Sequence, residues 1–381
     1  MSEMEYRKLS DCAEFRSDRT TEININTYIT TENMIKNKGG ISVSNKLPEI
    51  KTASAYKPSD ILISNIRPYF KKIWYSNRFG SCSNDVLVIS PNNDMNPKFL
   101  FYVLSDNNFF NYATVTSKGT KMPRGTQSAI MKYLVPKIDI LKQEKIADIL
   151  SAYDDLIGNN NERIKLLEQM AENLYKEWFV RFRFPGYADT EFENGIPKSW
   201  KIERLSNIAD IIMGQSPKSE NYNTNCEGLP FHQGVGSYGD FYLIDGIYST
   251  KGNRIAEANS IIFSVRAPVG RINITLNKII LGRGVASINS VKGYNAYLLW
   301  MLKNQFQQED IIGNGSIFTS VTKKELFGFK ILMPHEDLIQ KFDSIVSGIE
   351  SEMRKLSLIN NNLEKQRDFL LPRLMSGKLE V

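Results

Sequence analysis

Four short loops hold the residues of this 381-residue chain whose types and spacing suit contact with phosphates and base edges. Two lie early: Ile66-Arg67-Pro68-Tyr69-Phe70-Lys71-Lys72, and Ser117-Lys118-Gly119-Thr120-Lys121-Met122-Pro123-Arg124-Gly125-Thr126. Their later counterparts are Val265-Arg266-Ala267-Pro268-Val269-Gly270-Arg271 and Gly313-Asn314-Gly315-Ser316-Ile317-Phe318-Thr319. A guanidinium can give two parallel hydrogen bonds to guanine, whereas Lys, Ser and backbone N–H groups suit phosphate oxygens. Gly lets the backbone approach a ligand closely. We take Arg67, Lys71, Lys118, Lys121, Arg124, Arg266, Arg271, Asn314 and Ser316 as candidate DNA contacts. The alternative for any single one is an ordinary solvated loop residue.

Bond-making chemistry has less support. Gly234-Val235-Gly236-Ser237-Tyr238-Gly239 fits GxGxxG, but no apolar strand is expected directly before it, and Phe241-Tyr242-Leu243-Ile244 after it reads as a strand rather than a helix. Asn96-Pro97-Lys98-Phe99 is similar to the Asn-Pro-Pro-aromatic loop of amino-methyltransferases, lacks the second Pro, and is explained by a helix start. Glu49-Ile50-Lys51 resembles half of a nuclease site without a well-placed Asp, and no GxxxxGK[ST] loop occurs. His232 and His335 lie near no obvious nucleophile pattern. Cys12, Cys82 and Cys226 are odd in number and far apart, so neither a disulfide framework nor a zinc knuckle is expected. No catalytic residue, metal ligand or bound cofactor is assigned, and a binding protein is expected over an enzyme.

The elements that must position the loops come in two sets. Asp60-Ile61-Leu62-Ile63-Ser64 and Asp85-Val86-Leu87-Val88-Ile89 read as strands, and Pro97 opens a helix to about Ser105. Ser260-Ile261-Ile262-Phe263-Ser264 and a helix over 295–304 repeat the plan. A shift of 196 residues carries Leu9 onto Leu205, Ala13 onto Ala209, Gly119 onto Gly315, Leu167 onto Leu363 and Leu174 onto Leu370. An α+β module occurring twice is the simplest account.

Each module is followed by a helix with an apolar seam, after the Pro-terminated strands Leu134-Val135-Pro136 and Leu332-Met333-Pro334. The first seam runs Ile146, Leu150, Tyr153, Ile157, Asn160, Ile164, Leu167, Ala171, Leu174, Trp178; the second runs Phe342, Val346, Ile349, Met353, Leu356, Asn360, Leu363, Arg367, Leu370, Leu374. Alternating spacings of four and three predict coiled-coil packing, and the duplication favours the two helices packing antiparallel on each other. A helix of about 33 residues is on the order of 50 Å long, against about 34 Å between successive major-groove faces. Poor helix formers at Gly158-Asn159-Asn160-Asn161 predict a local break or fray. The expected domains are residues 1–142 and 187–336, with helical regions at 143–186 and 337–381.

Lys and Arg outnumber Asp and Glu 20 to 13 over residues 1–142 but only 15 to 14 over 187–336. A basic module favours a polyanion, because each neutralised phosphate releases counterions. No apolar run approaches the ~18 residues of a membrane span, and residues 1–5 lack the apolar core of a signal peptide. A cytoplasmic protein without a membrane partner is expected.

The plan as a whole resembles the specificity subunits of Type I restriction-modification systems. Its local marks are Ile196-Pro197-Lys198-Ser199-Trp200 before Leu205, Pro136 and Pro334 ending the domains, Gln143 to Ile149 opening the first helix, and the tail Leu370-Leu371-Pro372-Arg373-Leu374-Met375-Ser376-Gly377-Lys378-Leu379. The resemblance implies two target-recognition domains joined by an antiparallel helix pair, and a bipartite asymmetric site in double-stranded DNA. It implies two methyltransferase and two restriction/translocase subunits as partners, with S-adenosylmethionine, ATP and Mg used by them and not by this chain. The alternatives are the recognition part of a fused methyltransferase-nuclease, whose catalytic half neither Met1 nor Val381 suggests was lost, a methylation-only subunit, and a protein that dimerises through its helices.

Overall fold

Strand Tyr6–Lys8 pairs antiparallel with Leu134–Pro136, and Lys201–Arg204 pairs antiparallel with Lys330–Met333. Tyr6 faces Pro136 while Ile202 faces Leu332, so both partners move by the same 196 residues. The duplication is therefore kept at the level of strand register. These observations come from a computed structural model, which describes residues 5–311, 320–376 and 378–379. The chain divides into two compact units, Met1–Gly158 with Asn360–Val381, and Asn159–Ile359.

In the first unit a four-stranded antiparallel sheet has the order Ala13–Phe15, Val86–Pro91, Ile61–Ser64, Ile73–Tyr75. Successive side chains on its central strands enter different cores. Ile61, Ile63, Leu87 and Ile89 pack with Phe99, Leu100, Val103 and Leu104 of the helix Pro97–Ser105. Leu62, Val86 and Val88 pack with Ile29, Tyr56 and Cys82 of a second sheet. Burial on both faces explains why these strands are continuous apolar runs. Asn96 caps the helix, its Oδ1 accepting from Phe99 N–H at 2.9 Å, with Pro97 at the first helical position.

The second unit has the same sheet order: Ala209–Met213, Val285–Ser290, Ile261–Ser264, Ile272–Ile274. Ile261, Phe263, Ala286 and Ile288 face Leu298, Leu299 and Trp300 of the helix Asn295–Ile311, which runs beyond the expected residue 304. Ile262 and Val285 face Ile279 and Leu281 across the other core. Each second sheet includes one parallel pair, Ile29 beside Cys82 in one unit and His232 beside Leu281 in the other.

The long helices span Ile140–Tyr175 and Glu336–Met375. The first begins three residues ahead of Gln143 and runs without the break expected at Gly158–Asn161. Asn160 is buried there, so packing outweighs its poor propensity. A π-helical turn, Lys176–Val180, follows. Within the second unit, Arg163 pairs with Glu352 at 3.5 Å, and the rings of Tyr175 and Trp178 each lie 5.9 Å from that of Phe342. Partner numbers rise on one helix as they fall on the other, so these stretches run in opposite directions. The first unit follows the same rule: Asp154 binds Arg367, and Ile146 and Leu150 share a core with Leu371, Leu374 and Met375. Among the described residues, no helix is long and apolar enough to cross a membrane.

Candidate nucleic-acid interface

In the first unit, Arg67 ends the segment after strand Ile61–Ser64 in a left-handed conformation, φ 51°, just before Pro68. Its N–H donates to Pro123 O at 2.8 Å, tying it to the later loop. That loop is a hairpin: Lys118 and Arg124 exchange backbone hydrogen bonds of 2.9 Å in both directions, and Gly119 supplies the positive φ, 94°, that the reversal needs. Gly125 N–H closes onto Asn65 O at 2.9 Å. The structure thus brings Arg67, Lys118, Lys121 and Arg124 to one loop cluster. Lys118, Lys121 and Arg124 are exposed, and Arg124 pairs with Asp85 at 3.2 Å. Arg67 is half-buried, and its Nε has no hydrogen-bond partner among the described residues. Lys71 is also half-buried, its Nζ donating to Asn107 Oδ1 at 2.7 Å.

Phe70 gathers further cations. The Lys36 ammonium sits 4.2 Å from its ring centre, the Arg67 guanidinium 5.9 Å and the Lys72 ammonium 6.0 Å. The backbone N–H groups of Asn37 and Lys38 donate to Phe70 O and Lys71 O at 2.9 and 2.8 Å, which fixes the Lys36–Lys38 segment beside this loop. Burial and the like charge of Lys36 hold the Lys72 ammonium below its usual range, and its Nζ donates to Thr31 O. A like-charged cluster held by backbone bonds is relieved by an anion laid across it. Lys36 and Lys38 were not among the sequence candidates. Their signal is the Lys36-Asn37-Lys38-Gly39-Gly40 run, which resembles the chosen loops in composition but has no basic counterpart 196 residues on.

In the second unit, Arg266 and Arg271 flank a tight reversal. Ser264 Oγ donates to Pro268 O at 2.7 Å and accepts from Arg271 N–H at 2.8 Å, and Gly270 N–H donates to Ser264 O at 3.0 Å. Gly270 has φ 82°, as the turn demands. Both arginines are exposed, and Arg266 is bridged to Ser320 as Ile66 is to Arg124. Asn314 and Ser316 lie outside the described residues.

Along the helices, Ile146, Leu150, Trp178, Phe342 and Leu356 are buried. Ile157, Ile164, Leu167, Leu174, Ile349, Leu363 and Leu370 are half-buried. Between seam positions lie exposed apolar residues, among them Leu156, Leu166, Met170 and Phe369.

The GxGxxG loop needs a correction. A strand, Leu229–His232, does lead directly into it, and a short 3-10 turn, Val235–Ser237, follows in place of a long helix. His232 Nδ1 lies 2.8 Å from Ser237 Oγ and its Nε2 lies 3.0 Å from Asp245 Oδ1. Sequence inspection missed this set because Ser237 and Asp245 stand five and thirteen residues from the histidine, spacings that match no nucleophile pattern. His232 is 1% exposed. Ser237 Oγ also lies 3.2 Å from Gly234 O, and Asp245 Oδ2 accepts from Asn277 at 2.9 Å. A buried imidazole engaged at both nitrogens pins the 233–245 segment. Among the described residues, no three His, Cys, Asp or Glu side chains are grouped to hold a metal ion.

Comparison with known proteins places this geometry. The family pattern described as "Type I restriction modification DNA specificity domain" matches residues 1–169 and again 197–366, one match in each half of the duplication. A putative Type I restriction enzyme MjaX specificity subunit of Methanocaldococcus jannaschii is 31% identical over 310 residues, covering 78% of this chain and 72% of that protein. The Type I restriction enzyme HindI specificity subunit of Haemophilus influenzae is 24% identical, covering 92% and 94%. The crystal structure of a Type I restriction-modification S subunit from M. genitalium shares the fold, with a TM-score of 0.57 at 14% identity over 98% of this chain and 97% of that one. The chain belongs to the Type I restriction-modification DNA specificity family, the non-catalytic specificity subunits of these systems.

Proposed function

We propose that this chain directs a Type I restriction-modification complex to a bipartite, asymmetric site in double-stranded DNA. Residues 1–142 and 187–336 act as two target-recognition domains, each reading one half-site. The helical regions 143–186 and 337–381 form an antiparallel coiled coil that holds the two domains apart by a set number of base pairs. Two methyltransferase subunits dock on the helices, whose exposed Leu156, Leu166 and Met170 offer apolar contact, and two restriction/translocase subunits complete the assembly. S-adenosylmethionine, ATP and Mg serve those subunits. The complex works in the cytoplasm.

One observation carries the reading. The two units keep the same strand order and register, while the loops hung on that frame differ in sequence, Lys118, Lys121 and Arg124 in one against Asn314, Ile317 and Ser320 at the counterpart positions of the other. Two copies of one scaffold with unlike loops suit two unlike half-sites. The test is single-molecule sequencing of methylated adenines in a host that expresses this chain with its methyltransferase. Two unequal motifs at one constant spacing are expected. A continuous palindrome, or no motif, overturns the proposal.

A further inference from the structure

The turn Gly282-Arg283-Gly284 carries the chain from strand Ile279–Leu281 into strand Val285–Ser290. Every backbone N–H in it has a partner. That of Gly282 donates to His232 O at 2.8 Å, that of Arg283 to Ser216 Oγ at 3.1 Å, and that of Gly284 to Gln233 O at 3.0 Å. Gly284 O accepts from Val265 N–H at 2.9 Å. Three strand-end loops therefore converge on this turn, two of them from the other strands of its own unit that bear the pinned His232 and the candidate Arg266.

The glycines are there for room and not for torsion, since neither has a positive φ. A Cβ on Gly282 would lie 2.7 Å from Gln233 Cα, one on Gly284 2.3 Å from Gln233 O, and one on Gly214 2.1 Å from Gly282 O. Between two buried glycines, Arg283 is exposed. Among the described residues, no ion pair or side-chain hydrogen bond engages its guanidinium. Exposed Gln215 and Gln233 flank it, and the converging segments 214–218, 232–234 and 265–266 contain no acidic residue. A fully bonded backbone with an unengaged guanidinium at its tip is organised in advance for a ligand, which lowers the ordering cost of binding.

We propose that this turn is a base-reading element, in which Arg283 gives two hydrogen bonds to O6 and N7 of a guanine in the major groove of double-stranded DNA. The inference rests on the DNA-recognition reading above and names a residue for it. The first unit supplies the comparison. Its equivalent turn, Ser83-Asn84-Asp85, keeps the frame: Val86 N–H donates to Ser83 O at 3.0 Å as Val285 does to Gly282 O at 3.2 Å. Likewise Asn65 N–H donates to Asp85 O at 2.8 Å as Val265 does to Gly284 O at 2.9 Å. The exposed tip there is Asn84, a residue whose amide matches adenine. Each of these side chains can form two parallel hydrogen bonds to the edge of one base. A guanidinium in one and a neutral amide in the other is the pattern of a position that selects bases.

The test uses the full chain in complex with its methyltransferase and the DNA site mapped by methylation sequencing. Binding is measured to that site and to all single-base variants for wild type, Arg283→Ala and Arg283→Lys, with melting curves to establish folding. The expected result is loss of preference for guanine at one position of one half-site, by roughly tenfold to a hundredfold, in both variants, with the other half-site read as before. Uniform weakening on all sequences that Lys restores would make Arg283 a phosphate contact and overturn the inference, as would unchanged binding. Failure of the underlying function looks different: wild type itself would then yield no bipartite site.

Discussion

Arg367 interrupts the apolar seam of the second long helix and binds Asp154 of the first through Nη1 and Oδ1. Asp154 also accepts from the Tyr102 hydroxyl at 2.6 Å, so the pair links the helices to the helix under the first sheet. Burial works against the arginine's charge, but Asp154 and Asp368 outweigh it and raise its pKa. Arg367→Ala should destabilise the first unit by about 1–3 kcal/mol, because a partly buried carboxylate loses its cation. Arg367→Met with Asp154→Leu and Tyr102→Phe, which leaves no buried polar group of the set without its partner, should recover much of that loss. Urea unfolding of the full chain measures both.

Glu350 gives a pH dependence. Burial pushes its carboxyl up to about 7, with Asp343 adding to the shift, while the Trp300 Nε1–H bond of 3.0 Å and Lys303 oppose it. The folded state holds the proton more tightly than the unfolded chain, so this contribution is fully present below about pH 4.5 and is lost as pH rises through about 7. Glu350→Gln keeps an acceptor for Trp300 and should stabilise the second unit at pH 8 by about 1–3 kcal/mol. Melting temperatures from pH 4 to 8 should converge for the two proteins at the acid end.

Gly158 lies inside an unbroken helix, and a Cβ there would meet nothing within 4 Å. Gly158→Ala should therefore stabilise the isolated chain by about 0.5–1 kcal/mol through helix propensity. Loss of stability would mean that the glycine serves a contact made by the folded chain.

Lys118 and Lys121 stand exposed on the hairpin beside Arg67. If they bind phosphates, Lys118→Ala and Lys121→Ala should each weaken binding alike on all sequences and reduce the slope of log K against log salt by about 0.9. A change in the preferred base at one position would reassign that lysine to reading.

Inserting seven residues into each long helix adds about 10.5 Å of helix, so the accepted spacer should grow by about 3 bp. Methylation sequencing reads the new spacing. An unchanged spacer refutes the helices as the ruler.

Much of the frame was legible in the sequence because it rests on local rules. Asn96-Pro97 is a cap followed by a first-turn proline, and the helix ends at Ser105 where the apolar run stops. The 196-residue shift survives in the register of paired strands. What the sequence concealed depends on contacts far apart in the chain. Propensity alone predicted a break at Gly158–Asn161, yet burial of Asn160 keeps the helix whole. The His232, Ser237 and Asp245 set and the Phe70 cation cluster exist through side chains that meet only after folding. Arg283 had a visible sign, a basic residue between two glycines, but its meaning came from the backbone that closes around it.

The offset between equivalent strands is not constant. It is 196 at Ala13 and Ala209, 200 at Ile61 and Ile261, 199 at Ile89 and Ile288, and 196 again at Leu134 and Lys330. Every insertion and deletion has thus fallen between strands and cancelled before the closing pair. A segment lying between two equivalent strands of one half, grafted into the other, would therefore meet strands already in step, so the frame tolerates an exchange of whole loops between its halves.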